Sequence, residues 1–230
     1  MFLECRNLQF KYPQGEAYVF KSLSFQMEQP GFHALFGPSG IGKTSLARII
    51  AGELKNFSGE LKVKENSILL YTYNQERLPG WSTVARHLEK ITCPSMRNIR
   101  DTLIRTFGME EHMEFGFSQL SLGQQNRVNL IRYLLQDFDL LIMDESLANV
   151  DERLKEAILL KIKDLFPEKY FLYISHNLIE VLKFCDRIFV FRDTDDASHP
   201  LIFQGLNTHA DEKVDRMKLE SALLEIMNAG

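Results

Sequence analysis

The chain contains 230 residues, with a formal net charge of −4 and a hydrophobic content of 45%. This length and composition are typical of a globular protein, either one large α/β domain or a core with a smaller lobe. No apolar run approaches the roughly 20 residues needed to cross a bilayer, and residues 1–6 lack the pattern of a secretory signal. The net negative charge argues against a broad surface for nucleic acid. The cysteines Cys5, Cys93 and Cys185 are scattered and odd in number, which indicates reduced thiols in a cytosolic protein.

The first part of the chain has the patterns of strands, followed by one helix. Apolar residues alternate over residues 8–12 and 23–27, which predicts antiparallel strands. After a turn, residues 32–36 are predicted to form a short apolar strand. A helix is expected at residues 43–51, where Gly52 ends it.

Between about Trp81 and Gln125 the apolar period changes to that of helices. Ser82 is a suitable cap for a first helix, and Gly108 is expected to end a second one. The segment is therefore predicted to be a helical lobe inserted into an α/β core. The apolar positions with helical spacing are Val84, Leu88 and Ile91 in the first helix and Met96, Ile99, Leu103 and Phe107 in the second.

The second half of the chain alternates between helices and short apolar strands. Strands are predicted at residues 140–143, 171–174 and 188–191. This alternation indicates a mostly parallel sheet that is covered on both faces. The helices are marked by Val128, Ile131, Leu134 and Leu135, by the cap Asp151 and the breaker Pro167, by an end near Cys185, and in a last amphipathic helix by Val214, Met217, Leu224 and Met227.

A glycine-rich loop at residues 37–44 is the first candidate site. It fits the pattern G-x-x-x-x-G-K-[ST] between a predicted strand and a predicted helix. Glycines let backbone N–H groups turn toward phosphate oxygens, and the helix N-terminus adds a favourable dipole. Lys43 is expected to reach the β- and γ-phosphates of a nucleotide, and the Thr44 hydroxyl to bind Mg²⁺. A chance match would arise in roughly one chain of this length in a hundred. The residues predicted to bind nucleotide here are Gly37, Pro38, Ser39, Gly40, Ile41, Gly42, Lys43, Thr44 and Ser45.

Two acids follow the apolar strand at residues 140–143. Asp144 and Glu145 are expected at the carboxyl edge of the sheet, where ligands of open α/β sheets bind. Asp144 is predicted to hold Mg²⁺ through water, and Glu145 to orient and deprotonate an attacking water. The alternative, an acidic helix N-terminus after a strand, is weaker beside the phosphate-binding loop.

Several motifs, in order along nearly the whole chain, resemble those of the ATP-binding-cassette (ABC) ATPases. Residues 120–124, Leu-Ser-Leu-Gly-Gln, resemble the LSGGQ signature and open a predicted helix. Gln75 follows a predicted strand at residues 68–73, and His176 follows the one at residues 171–174; they have the positions of the family's Q-loop glutamine and switch histidine. Residues 148–151 occupy the D-loop position, and Tyr12 has the position of the aromatic residue that stacks on adenine.

The resemblance implies a role for each of these residues in an ATPase that uses ATP and Mg²⁺. Gln75 would contact both Mg²⁺ and the attacking water, and His176 would donate to a γ-phosphate oxygen and position the water of Glu145. Tyr12 offers an aromatic face for adenine. Plainer alternatives are a surface-loop residue for Gln75, a helix cap for His176 and a strand residue at a turn for Tyr12. The signature acts in trans in the family, so the γ-phosphate held by one subunit is expected to contact three residues of another: Ser121, Gly123 and Gln124.

The resemblance also implies an architecture. Residues 1–230 are expected to form a single α/β domain of the P-loop NTPase class, with a RecA-like core and a mostly parallel sheet. An N-terminal antiparallel β subdomain is expected at residues 1–30, and an inserted helical subdomain at residues 77–125. The core would then comprise residues 31–76 and 126–230.

Two positions depart from the family's pattern. Leu122 replaces the first glycine of the signature, and Ala148 replaces the serine that usually opens the D-loop. These changes leave nucleotide binding intact and bear on the hydrolysis rate and the geometry of a dimer. Because Glu145, Gln75 and His176 are all present, an active ATPase is expected.

Residues 75–84 resemble a run in bacterial importer ATPases, particularly the nitrate, sulfonate and taurine group. The short chain without an appended regulatory domain is similar to that group. Pro79 and Gly80 suggest a hinge between the core and the helical lobe. Trp81 is a candidate for the groove that receives a permease helix, and packing inside the helical lobe is the alternative.

The resemblance therefore predicts the energy-coupling subunit of a transporter, with import as the expected direction. Such a subunit is cytoplasmic and peripheral on the inner face of the cell membrane. Its expected partners are a transmembrane permease, a second copy of itself or a sibling subunit, and, through the permease, a solute-binding protein; no nucleic-acid partner is expected. The alternatives are a soluble ABC protein acting on DNA or ribosomes and a regulatory nucleotide-binding module with slow turnover.

Overall fold

The structure is a computed structural model that describes residues 1–15, 17–76, 80, 82–192, 199–210, 212 and 214–229. Its strands are β1 (Leu3–Phe10), β2 (Phe20–Met27), β3 (Gly31–Phe36), β4 (Phe57–Val63), β5 (Leu69–Tyr73), β6 (Leu140–Asp144), β7 (Tyr170–Ile174), β8 (Arg187–Val190) and β9 (Leu201–Gln204). Its helices are α1 (Lys43–Ile50), α2 (Val84–Ile91), α3 (Arg97–Thr106), α4 (Leu122–Leu134), α5 (Glu152–Leu165), α6 (Leu178–Phe184) and α7 (Arg216–Ala229). Among the described residues, no helix is both long and apolar enough to span a bilayer.

The central sheet has six strands in the order β5-β6-β7-β3-β8-β9. Neighbouring strands are parallel except for β8 and β9, which are antiparallel. The expectation of a mostly parallel α/β sheet is confirmed. Strand β9 was not predicted, because its four residues are too short to show a period. Strand β3 lies inside the sheet between β7 and β8, so the glycine-rich loop that follows it opens near the middle of the carboxyl edge.

A smaller antiparallel sheet has the order β2-β1-β4. Strands β1 and β2 confirm the prediction for the first 30 residues, although Tyr12 lies beyond the end of β1. Strand β4 falls within residues 31–76, which were assigned to the core, yet it pairs with β1 along its length. The boundary at residue 30 is therefore too narrow for this sheet. The polar run of β4, which contains Ser58 and Gly59, hides it from a period-based prediction.

Alternate residues of the central strands face two hydrophobic clusters, as expected for a sheet that is covered on both faces. On one side, Leu35 and Leu172 pack with residues of α1 and of the antiparallel sheet. On the other side, Ala34 and Phe171 pack with residues of α2 to α7. Because both faces are packed, the strand ends that carry the loops at the carboxyl edge are held in fixed positions.

Helices α2, α3 and α4 lie between β5 and β6, and the predicted helical subdomain at residues 77–125 covers the first two and the start of the third. The predicted cap of its first helix was wrong by one residue. Thr83 is the N-cap of α2, and its hydroxyl accepts from the Arg86 N–H at 3.3 Å. The Ser82 hydroxyl instead donates to the Thr83 carbonyl at 3.2 Å. Residues 77–79 and Trp81, on which the predicted hinge and permease groove depend, lie outside the described residues.

The final helix α7 is confirmed, but the predicted apolar face was wrong. Met217 is 81% exposed, and Leu224 and Met227 are exposed as well. Ile226 is 3% exposed and belongs to the core. The helix carries two apolar stripes, and its contact with α6 decides which one is buried. The residues of the buried stripe that pack beside Ile226 are Leu219, Ala222 and Leu223.

Candidate functional site

Four loops meet at the carboxyl edge of the six-stranded sheet. Gln75 follows β5, Glu145 follows β6, His176 comes two residues after β7, and the phosphate loop at residues 37–44 follows β3. Because β5, β6, β7 and β3 are parallel neighbours, their carboxyl ends lie side by side. A cavity of about 290 Å³ opens there, lined by Ser39, Gly40, Gly42, Lys43, Thr44, Ser45, Glu145, Ile174 and His176. The structure thus brings the phosphate loop together with two of the three predicted catalytic residues.

Lys43 sits at the start of α1 and is only 6% exposed. Its ammonium donates to the carbonyls of Gly37 and Pro38 at 2.7 and 2.8 Å, so the loop closes around it. Burial lowers the pKa of this ammonium, while the charges of Asp144 and Glu145 act to raise it. A buried cation facing the cavity is suited to an anionic ligand.

Gly42 joins the phosphate loop to α1 as the helix N-cap. It has φ +107°, a conformation that side chains rarely adopt. A Cβ at this position would lie 2.5 Å from Val19 Cγ1 and 2.7 Å from Phe20 Cζ. The close approach of the β2 entry to the loop therefore requires a glycine at this position.

Asp144 ends β6 with a buried carboxylate. Burial raises its pKa, and the Glu145 charge adds to that effect. Hydrogen bonds from Thr44 and Tyr71 lower the pKa, and the Tyr71 hydroxyl donates to Asp144 Oδ2 at 3.1 Å. The Thr44 hydroxyl and the Asp144 carboxylate are thus adjacent oxygen donors, which is the chemistry that fits a small hard cation such as Mg²⁺.

Glu145 and His176 form the closest polar pair at the cavity. Glu145 Oε1 lies 2.5 Å from His176 Nε2, and both side chains remain partly exposed. Glu145 itself has φ +52°, and its N–H donates to the Ile174 carbonyl of the neighbouring strand at 3.1 Å. A carboxylate paired with an imidazole at the mouth of a phosphate cavity is an arrangement suited to moving a proton.

The loop that carries His176 is supported from below by Glu180, a buried residue of α6. Glu180 Oε1 accepts from the Tyr173 hydroxyl at 2.5 Å and from the Ser175 hydroxyl at 2.8 Å. Its second oxygen pairs with Lys155 at 2.9 Å. These contacts tie the end of β7, the histidine loop and α5 together.

Gln75 lies at the same sheet edge but does not line the cavity. It has φ +64° and an exposed side chain. Its N–H donates to Asn126 Oδ1 of α4 at 3.3 Å. Gln75 is therefore fixed through its backbone, while its exposed side chain makes no hydrogen bond to the part of the chain that the structure describes.

Tyr12 lies beside the start of α1. Its hydroxyl is 2.9 Å from Ser45 Oγ, and its ring packs edge-on against Phe10. The residue remains 39% exposed. The structure therefore places a partly free aromatic face next to the phosphate loop, and stacking on a base stays a prediction.

The signature residues lie away from the phosphate cavity of their own chain. Ser121 caps α4 and exchanges hydrogen bonds with Gln124. Gly123 is covered by the loop at residues 148–149, because a Cβ on it would lie 2.3 Å from the Asn149 carbonyl oxygen. Leu122, which departs from the family's pattern, is the first residue of α4 and is 48% exposed.

Three polar residues of the site were not predicted from the sequence. Tyr71 donates to Asp144, Glu180 supports the histidine loop, and Asn126 bonds to Gln75. A usable signal exists for Asn126, since it and Asn129 lie three residues apart in α4, facing the same side among apolar positions. The other two depend on partners that are distant in sequence.

Comparison with known proteins gives one consistent family. The family model described as ABC transporter matches residues 20–148, more than half of the chain. A taurine import ATP-binding protein of Pelagibacter ubique is 31% identical over 203 residues, which cover 80% of this chain and 75% of that protein. A spermidine/putrescine import ATP-binding protein of Fusobacterium nucleatum is 30% identical over 190 residues, which cover 75% of this chain and 50% of that protein. The chain spans about half the length of several curated relatives that it matches.

The solved structures extend this likeness to the fold. A bacterial ABC transporter cassette, solved as a dimer, has a TM-score of 0.72 to this chain. The match covers 88% of this chain and 98% of that one, at 22% sequence identity. The family match over more than half of the chain and the relatives at about 30% identity lead to one conclusion: the chain belongs to the ABC transporter family.

Proposed function

We propose that this chain is the ATP-hydrolysing subunit of an ABC transporter and that the cavity at residues 37–44 holds Mg-ATP. The observation that carries the proposal is the Glu145–His176 pair, 2.5 Å apart, at the mouth of a cavity that also contains the buried Lys43. A phosphate-binding loop alone would support nucleotide binding only. The carboxylate–imidazole pair adds the means to activate water beside the terminal phosphate.

Each residue has a role that follows from its position. The backbone of residues 37–42 and the α1 N-terminus cradle phosphate oxygens, and Lys43 exchanges its loop carbonyls for the β- and γ-phosphates. Thr44 and Asp144 would hold Mg²⁺, which would supply charge neutralisation at those phosphates. The Glu145 carboxylate accepts a proton from the attacking water, and Tyr12 stacks on adenine.

A second subunit completes the site in this proposal. Ser121, Gly123 and Gln124 lie outside the cavity of their own chain, at the N-terminus of the 13-residue helix α4. Such a terminus, brought from another copy or a sibling subunit, presents N–H groups to the γ-phosphate. The match to a cassette solved as a dimer supports this arrangement. Within the chain, Gln75 would contact Mg²⁺ and the attacking water, and His176 would donate to a γ-phosphate oxygen.

The transport partner is a separate membrane permease, and the direction is import. The relatives named as import ATP-binding proteins support this direction, and one of them is a taurine importer. Relatives of similar identity are named for spermidine/putrescine, molybdenum and iron, so the comparison selects no solute. The chain would then sit in the cytoplasm on the inner face of the membrane, with a solute-binding protein reached through the permease.

The test is the ATPase activity of Glu145→Gln with Glu168→Gln as the matched control. Glu168 is exposed in the loop before β7, at the opposite edge of the sheet. We expect Glu145→Gln to lower turnover by about 10²-fold or more while ATP binding persists, and to form an ATP-dependent dimer on size exclusion. Glu168→Gln should behave as the parent protein does.

Two results would contradict the proposal. A parent protein with no more turnover than Glu145→Gln would favour the alternative of a regulatory nucleotide-binding module with slow turnover. The exposed Leu122 and the change to Ala148 are the observations that motivate this alternative. A monomer at saturating ATP in the Glu145→Gln variant would remove the composite site. Co-purification with a membrane protein then tests the transport role.

A further inference from the structure

We propose that Asn126 is a positioning residue that fixes Gln75 for hydrolysis and couples its loop to the loop at residues 148–149. This inference rests on the proposed ATPase function and names a residue within α4 that the motifs do not assign. Asn126 is only 4% exposed. Its amide is therefore committed to protein partners, and these partners are the evidence.

The Asn126 amide makes three hydrogen bonds, and all of them go to loops at the site. Oδ1 accepts from the Gln75 N–H at 3.3 Å. Nδ2 donates to Asn74 Oδ1 at 2.9 Å and to the Ala148 carbonyl at 3.0 Å. Both amide hydrogens are thus used, and the side chain joins the segment after β5 to the segment after β6.

The loops that Asn126 joins are held in conformations that need support. Gln75 and Asn149 have φ values of +64° and +61°, a left-handed conformation that non-glycine residues adopt only when their surroundings hold them in it. The Gln75 N–H points at Asn126, and the Asn149 carbonyl packs on Gly123 in the same helix. One turn of α4 therefore holds both loops in place.

For the chemistry, what matters is the position of the Gln75 backbone, from which its side chain extends. That side chain is exposed and makes no hydrogen bond to the described residues, so its reach is determined by where its backbone is anchored. Displacing a positioning group by 1 Å can cost about 10²-fold in rate. Because the Gln75 N–H can bond to water instead, losing Asn126 should affect geometry more than stability.

The experiment compares Asn126→Ala with Asn129→Ala. Asn129 is the same residue type, 2% exposed, one turn further along α4, and it donates to the Glu76 side chain without touching the 148–149 loop. We expect Asn126→Ala to lower kcat about tenfold, equivalent to about 1.4 kcal/mol, with KM for ATP changed by about twofold at most. Asn129→Ala should lose a similar amount of thermal stability and change kcat by about threefold at most.

Two further variants test whether Asn126 acts through Gln75. The double variant Gln75→Ala with Asn126→Ala should have the kcat of Gln75→Ala alone, because residues that act as one unit are not additive. Asn126→Asp keeps an acceptor for the Gln75 N–H but sets a second acceptor oxygen against Asn74 Oδ1 and the Ala148 carbonyl, so its kcat should fall at least as far as that of Asn126→Ala. Multiplicative losses in the double variant, or a parent-like kcat in Asn126→Asp, would overturn the proposal.

Hydrogen exchange on ATP-free protein provides a readout that does not need turnover. Asn126→Ala should speed exchange in peptides covering residues 74–76 and 146–150, whereas Asn129→Ala should affect only the first. Unchanged exchange in both peptides, or an equal kcat loss in the two asparagine variants, would refute the positioning role. A parent protein without turnover would instead refute the proposed function. The hydrogen-exchange result would then decide whether Asn126 positions the two loops.

Discussion

The phosphate loop offers a paired test of backbone strain and steric overlap. Gly40 and Gly42 have φ values of +83° and +107°, so alanine is strained at both. A Cβ on Gly40 would meet nothing within 4 Å. A Cβ on Gly42 would overlap Val19 and Phe20, with approaches of 2.5 to 2.9 Å. Gly40→Ala therefore measures strain alone, and Gly42→Ala measures strain plus overlap.

The expected magnitudes follow from these two contributions. Holding alanine at positive φ costs about 1–2 kcal/mol, which is the expected loss for Gly40→Ala. Overpacking a filled site costs about 1–3 kcal/mol more. Gly42→Ala should therefore lower the free energy of unfolding by about 2–5 kcal/mol, and Val19 or Phe20 must shift toward the solvent or the core to accommodate it.

Urea unfolding followed by circular dichroism measures both losses, and an ATP titration reports the state of the loop. We expect Gly42→Ala to lose at least about 1 kcal/mol more than Gly40→Ala and to weaken ATP binding at the same time. Equal losses would refute the reasoning, because they would mean that the β2 entry does not pack against the loop. A Gly42→Ala protein with parent affinity for ATP would do the same.

Three other outcomes are expected. His176→Ala should lower turnover about 10²-fold with little change in ATP binding, since its imidazole pairs with Glu145 at the cavity mouth; an undiminished kcat would contradict this role. Thr83→Ala should destabilise the protein by about 1 kcal/mol and Ser82→Ala by less than about 0.5 kcal/mol in thermal unfolding, because only Thr83 caps α2; the reverse order would restore the predicted cap. Burial lowers the pKa of Lys163 to about 8, whereas the unfolded chain keeps this proton up to about pH 10.5. The free energy of unfolding, compared with that of Lys163→Met, should therefore rise as the pH goes from about 8 to about 10.5. A difference in unfolding free energy that does not change with pH would refute this prediction.

The parts of the site that the sequence predicts are those encoded within a few residues. The loop at residues 37–44 combines a fixed glycine pattern with a strand before it and a helix after it, and the structure has all three elements. The acids after β6 follow the same logic, because a continuous apolar run predicts a buried parallel strand that ends at the ligand-binding edge. These acids lie close to His176 because β6 and β7 are parallel neighbours in the sheet.

The parts that the sequence does not predict depend on tertiary partners. Strand β4 is half polar and exists because β1 offers it an antiparallel edge. Helix α7 has two apolar stripes, and only its packing on α6 buries Ile226 and leaves Met217 in solvent. Similarly, Asn126 reaches Gln75 and Ala148 across 51 and 22 residues of sequence, so its role appears only once the loops are in place.

Three non-glycine residues at the sheet edge, Gln75, Glu145 and Asn149, share the left-handed conformation. Each is held at a cost of about 1–3 kcal/mol that the rigid sheet and α4 offset. The loops around the cavity therefore contain backbone strain that the well-packed sheet and α4 hold in place. Relaxing any one of these residues would release free energy comparable to that of a hydrogen bond or two. The packed sheet and α4 therefore determine the conformation of these three residues against their own backbone preference.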